Sequence, residues 1–186
     1  MFIETEQTPN PKSLKFIPDQ PVLEKGTVHM TDAEAAAKSP LAAALFTFDQ
    51  VAGVLLAPDF VSVTLKDEDW ADMKPKILTA IMTHFTSGQP VLLEPVAAEE
   101  KASSADEGDP EIVIQIKTIL EEKVRPAVAQ DGGDIVFDRF EGGIVYLHMQ
   151  GACAGCPSSV YTLKNGIENL LKYYIPEVTE VRPVDV

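Results

Sequence analysis

The sequence predicts an α+β protein of two small domains joined by an acidic flexible linker, the second domain having α-β-β-α-β order. Three observations predict it. Residues 96–109 read Val-Ala-Ala-Glu-Glu-Lys-Ala-Ser-Ser-Ala-Asp-Glu-Gly-Asp, with no aromatic and no β-branched residue except Val96. A stretch of that kind buries too little apolar surface to fold alone. The chain has 186 residues, room for one ordinary domain or two small ones. On both sides of the acidic stretch, runs that alternate with period two are mixed with runs of helical period. The reading is therefore residues 1–95 as the first domain, 96–109 as linker and 110–186 as the second domain.

In the first domain, residues 2–8 and 13–17 read as short strands around the turn signal Pro9-Asn10-Pro11. Thr31-Asp32-Ala33-Glu34 resembles a capping box, and a short helix is predicted over residues 40–46. Residues 51–56 and 60–65 form a hairpin pattern around Ala57-Pro58-Asp59. Phe60, Ser62 and Thr64 alternate there with Val61, Val63 and Leu65, the signature of a half-buried strand. Asp67 and Asp69 precede a helix opened by Trp70 and carrying Ile77, Ile81 and Phe85 at spacings of four.

In the second domain, Ile112, Ile116, Ile119, Leu120 and Val124 make an apolar helical stripe, bent or ended near Pro126. The stripe is read as core. Gln130-Asp131-Gly132-Gly133-Asp134 leads into a strand over 135–139, and Glu141-Gly142-Gly143 turns into a second over 144–149. A helix with Val160, Leu163, Ile167, Leu170, Leu171 and Tyr174 on one face ends at Pro176, and a last strand covers 178–182. The closing strand–helix–strand unit calls for a crossover between parallel strands. That places residues 153–156 beyond the carboxyl end of a strand, where α/β units bind ligands.

The chain carries 29 acidic against 15 basic residues, a net charge of −14. A general nucleic-acid binder needs a clustered basic surface, so that class is excluded, and anionic membrane surfaces are disfavoured by the same sign. No apolar run approaches the roughly 20 residues a spanning helix needs. Residues 1–6 show neither a basic n-region nor an apolar h-region. The expected location is cytoplasmic, or the mitochondrial matrix if a leader has been removed.

The two cysteines, Cys153 and Cys156, form one C-x-x-C. Two intervening residues let both sulfurs face one point. Gly151 and Gly155 allow left-handed backbone, and Pro157 suits the first turn of a helix whose N-terminus adds partial positive charge. These features favour thiolate, the form a metal ligand or a nucleophile requires. A Gly-flanked loop is a poor place for two merely buried cysteines. A thioredoxin-like redox pair is the functional rival, but only about thirty residues follow Cys156. Zinc and iron–sulfur clusters usually take four protein ligands, and one chain offers two thiolates. Two copies about a two-fold axis would supply four, at an exposed and easily dismantled interface.

His148 falls on the polar face of its strand and is read as solvated, while His29 and His84 lack the context of a catalytic triad. Asp131, Asp134 and Asp138 lack the ligand run of a calcium loop and are read as turn-forming and solvated. There is no phosphate-binding loop and no dinucleotide fingerprint. The chain is read as no enzyme.

At these residues the second domain resembles the NifU C-terminal domain, and the whole chain resembles the two-domain Nfu-type iron–sulfur cluster scaffolds. The matching stretches are Asp131-Gly132-Gly133-Asp134-Ile135, Gly151-Ala152-Cys153-Ala154-Gly155-Cys156-Pro157-Ser158-Ser159 and Thr162-Leu163-Lys164-Asn165-Gly166-Ile167-Glu168. In the first domain they are Thr8-Pro9-Asn10-Pro11, Leu14-Lys15-Phe16 and Asp69-Trp70. The resemblance implies a homodimer on cluster binding, holding a [4Fe-4S] cluster through Cys153 and Cys156 of each subunit. It also implies transfer of that cluster to apo iron–sulfur client proteins, and dealings with the iron–sulfur assembly machinery. Relatives often carry serines where this chain has Ala154-Gly155, both small and neither a ligand. The runner-up is a metal-free thiol-disulfide or persulfide protein using the same pair, and a zinc-bridged module comes third.

Overall fold

The computed structural model describes residues 1–93, 110–155 and 157–184. It divides into two compact units, Met1–Ala98 and Glu99–Val186. The linker read at 96–109 lies outside the described residues. No helix among the described residues is long and apolar enough to cross a membrane.

The first unit has strands β1 (Ile3–Gln7), β2 (Ser13–Pro18), β3 (Val28–Met30), β4 (Val51–Leu56) and β5 (Val61–Leu65). They form one antiparallel sheet in the order β1-β2-β5-β4-β3. Its helices are α1 (Ala33–Ala36), α2 (Pro40–Phe46) and α3 (Trp70–Ser87). The Pro9-Asn10-Pro11 turn is held by its own side chains: Thr8 Oγ1 donates to Asn10 O at 2.9 Å, and Lys12 N donates to Asn10 Oδ1 at 3.0 Å. Asp32 caps α1 by accepting from Ala35 N at 2.7 Å. Ser39 caps α2, accepting from Ala42 N at 3.1 Å while donating to Val91 O at 2.6 Å. Phe16, Leu41, Leu45, Ile77 and Ile81 are among the core side chains between sheet and helices.

Two readings change here. The short edge strand β3 was not seen in the sequence, because three residues give no period to detect. β5 is not half-buried. Ser62 is only 1% exposed, because β5 lies in the middle of the sheet between β2 and β4.

The second unit runs α4 (Glu111–Ile119), a π-helical turn (Leu120–Val124), α5 (Arg125–Gln130), β6 (Gly133–Glu141), β7 (Ile144–Gly151), α6 (Pro157–Tyr174) and β8 (Glu180–Val184). The sheet order is β6-β7-β8. β6 and β7 pair antiparallel, and β7 and β8 pair parallel, as the crossover required. The apolar stripe on α4 does not end at Pro126 but continues through the π turn into α5. Pro126 offers no N–H, and its ring would strike the carbonyl four residues back in a regular helix; one wider turn relieves both problems. Ile116, Leu120 and Val128 join Ile135, Leu147, Ile167, Leu171 and Val181 in one core. The last strand starts later than its sequence pattern suggests. Val178 is buried in the preceding loop, where its N–H donates to Ile175 O at 3.0 Å.

Candidate functional site

β7 delivers the site. Val145, Leu147 and Met149 point into the core, and the chain turns at Gly151, whose φ is 61°. Past that turn, Ala152 N donates to Gly132 O at 3.1 Å and Ala154 N to Gly151 O at 3.1 Å. Gly155, with φ 74°, is left-handed as its position in the loop suggested. Cys153 thus sits at the carboxyl end of β7. Cys156 lies outside the described residues.

The structure departs from the sequence reading at Cys153. The residue is 5% exposed and packs in the same apolar cluster as Ile135, Met149 and Ile167. Burial pushes its thiol up to about 12, and the negative charges of Asp131 and Asp134 add to that. Both effects favour the thiol at Cys153 over the thiolate that the glycines and helix N-terminus suggested. Desolvation and two nearby carboxylates outweigh those favourable dipoles.

Gly133, paired with Gly151 across β6 and β7, faces this thiol. A β-carbon at residue 133 would lie 2.2 Å from Cys153 Sγ, 3.0 Å from Cys153 N and 3.0 Å from Gln150 O. No side chain larger than hydrogen fits without displacement.

Asp134 is not solvated. It is 3% exposed and held in a fork by Arg125, with Nε to Oδ1 at 2.9 Å and Nη2 to Oδ2 at 2.8 Å. Its Oδ1 also accepts from Ile135 N at 2.8 Å, and Arg125 reaches Glu121 Oε2 at 2.7 Å. The hydrogen bonding that Arg125 donates to Asp134 leads the causes that raise the pKa of the guanidinium above its ordinary value. The ion pair ties α5 to the start of β6. Short-range patterns carry no sign of it, because nine residues and a change of secondary structure separate the partners.

His148 also departs from its reading. It is half-buried, with Nε2 3.3 Å from Asp138 Oδ1 and Nδ1 unpartnered among the described residues. Asp138 reaches it because it is the extra residue of a β-bulge between Phe137 and Arg139. His29 and His84 belong to the first unit and take no part. Among the described residues, no group of three or more His, Cys, Asp or Glu side chains is arranged to hold a metal ion.

A thiol at the end of a strand in a small α+β domain, which follows a separate α+β unit in the sequence, defines a class matched by two family models. Residues 3–88 match the N-terminal domain of scaffold protein Nfu/NifU, and residues 116–182 match the NifU-like domain. The chain belongs to the Nfu/NifU family. It is 49% identical to the human protein named NFU1 iron-sulfur cluster scaffold homolog, mitochondrial, over 99% of this chain and 72% of that protein. It is 48% identical to NifU-like protein 4, mitochondrial, of Arabidopsis thaliana, over 97% of this chain and 65% of that one. The solution structure of a NifU-like protein from Saccharomyces cerevisiae is similar at 23% identity, with a TM-score of 0.45 over 50% of this chain and 86% of that one.

Proposed function

We propose that the chain is an iron–sulfur cluster scaffold and carrier, not an enzyme. It holds a [4Fe-4S] cluster between two subunits through Cys153 and Cys156 of each, and passes it to apo iron–sulfur proteins. One observation carries this reading: Cys153 lies just past the end of β7 within a family whose relatives are named as iron–sulfur cluster scaffolds, and the described residues around it offer no further metal-binding group. Four thiolates then require a second copy.

The cluster is cargo, so the chemistry is ligand exchange. A client thiolate bonds to iron as a carrier cysteine leaves as thiolate and takes up a proton; no electrons change hands. Loading runs in the opposite sense and releases the thiol proton. The metal-free thiol-disulfide or persulfide alternative uses the same pair and needs a ready thiolate on one of the two sulfurs.

Anaerobic reconstitution with iron and sulfide tests the reading, with iron, sulfide, molar mass and absorption measured together. About four irons per dimer is the expected result; a colourless, iron-free monomer with a reversible disulfide couple would replace it with the redox alternative. For the first unit we propose a role toward partners, either clients or the assembly machinery. Deleting residues 1–95 should slow transfer while leaving iron loading in place, and unchanged transfer to every client tested would sink that role. The location proposed from the sequence is the cytoplasm. The relatives' names support the mitochondrial-matrix alternative, and fractionation of the source cells decides between them.

A further inference from the structure

We propose that Gly133 is the positioning residue for the Cys153 sulfur: its bare α-carbon opens a slot that the thiol occupies in the cluster-free protein, and the thiol leaves this slot when a cluster is loaded. The inference rests on the reading of Cys153 as a cluster ligand, and adds a covered resting state that the ligand role does not itself require.

The geometry is specific. Non-bonded carbon atoms sit about 3.5–4.0 Å apart at their optimum, and sulfur is larger than carbon. The Sγ atom lies 2.2 Å from where any other residue at 133 would put its β-carbon. The sulfur therefore fills the volume of the missing side chain. It is also covered, since the whole residue is 5% exposed within the apolar cluster. An atom bonded to a cluster shared with a second chain has to be reachable from outside its own chain. The described position and the loaded position are thus different states, and loading draws on the open one. The backbone has the means to interconvert them. Gly151 and Gly155 bracket the cysteine in left-handed conformations, and the Cys153 N to Gln150 O hydrogen bond is long, at 3.3 Å.

The test uses the full-length, reduced, iron-free protein. Iodoacetamide is added, and modification of Cys153 is followed by peptide mass mapping, with and without denaturant at one pH. Native Cys153 should react slower by about tenfold or more; equal rates would overturn the covered state. The role of Gly133 is read from a double-mutant cycle. Gly133→Ala should lower the melting temperature, and do so by a smaller amount in the Cys153→Ala background, where the added methyl meets no sulfur. If Gly133→Ala folds, its Cys153 should be alkylated faster than in the parent. A variant that folds only in the Cys153→Ala background also supports the slot. Additive shifts, or loss of folding in both backgrounds, would assign Gly133 to its backbone contacts with Gln150 and overturn the role. Failure of the ligand reading itself is distinguishable: Cys153→Ala would then keep its iron, whatever the alkylation shows.

Discussion

The two units bury polar side chains to different ends. In the first, Asn10 and Ser39 are buried because they tie off a turn and a helix start, and Ser13 shares a 2.6 Å hydrogen bond with Thr64 across strands. Each is spent where it stands. In the second unit, Asp134, Gln150 and Cys153 are buried around one point, the paired ends of β6 and β7, where Asp134 lies opposite Gln150 and Gly133 opposite Gly151. Buried polar groups scattered over caps and turns maintain a fold, whereas those gathered beside the thiol surround the site of the proposed function.

The largest effect expected from that contrast belongs to the cysteines. Cys153→Ala or Cys156→Ala should each abolish iron binding, measured as iron per chain after reconstitution, while far-ultraviolet dichroism keeps its shape. A variant retaining a full cluster would erase the distinction between the units.

Next comes the Arg125–Asp134 pair. Arg125→Met leaves a carboxylate that is 4% exposed at its side chain without its partner, and should cost about 3–5 kcal/mol in denaturant unfolding. Replacing both residues with apolar ones should recover much of the loss. A loss below about 1 kcal/mol would place the pair with ordinary surface bridges.

Ser39→Ala is the matching change in the first unit. It removes a helix cap and the bond to Val91 O, and should cost about 1–2 kcal/mol. A cost equal to that of Arg125→Met would mean that the two kinds of buried polarity do the same job.

The pH dependence separates the units with opposite chemistry. On the proposed function, loading the second unit would remove a proton from a thiol whose pKa is pushed up to about 12. Cluster affinity should therefore rise with pH below that value, by up to about tenfold per unit for each such thiol. A flat profile would mean that Cys153 is already ionised before loading.

In the first unit, burial holds the pKa of His84 below the ordinary 6.5, and its Nε2 has no partner among the described residues. The unfolded chain then binds a proton that the folded chain refuses, so this contribution is whole above 6.5 and is lost as pH falls below it. The melting temperature should drop on acidification less steeply in His84→Gln than in the parent. This is the smallest of the expected effects, and parallel curves would remove His84 from the account.

Much of the fold was legible from local signals. The Pro9-Asn10-Pro11 turn, the α2 helix over Pro40–Phe46 and the run of α3 from Trp70 follow from residues a few positions apart. β3 escaped notice for want of length. The depth of β5 escaped because alternation reports two faces and not what covers each of them. At the site, the C-x-x-C and its glycines were visible as a pattern. The burial of Cys153 was not, since it depends on a residue twenty positions earlier having no side chain.

By itself, the sequence determined the two-domain α+β class, the order of elements in the second domain, the acidic charge balance and the C-x-x-C pair. All of these rest on composition, short-range periodicity and neighbouring residues. Tertiary structure alone decided that Arg125 would find Asp134, that Asp138 would reach His148 through a bulge, and that the Cys153 thiol would fill the space at Gly133 and keep its proton. Those outcomes depend on distances between segments remote in the chain, and on the low polarizability of the medium they enclose, which exist only once the strands are paired and the helices packed.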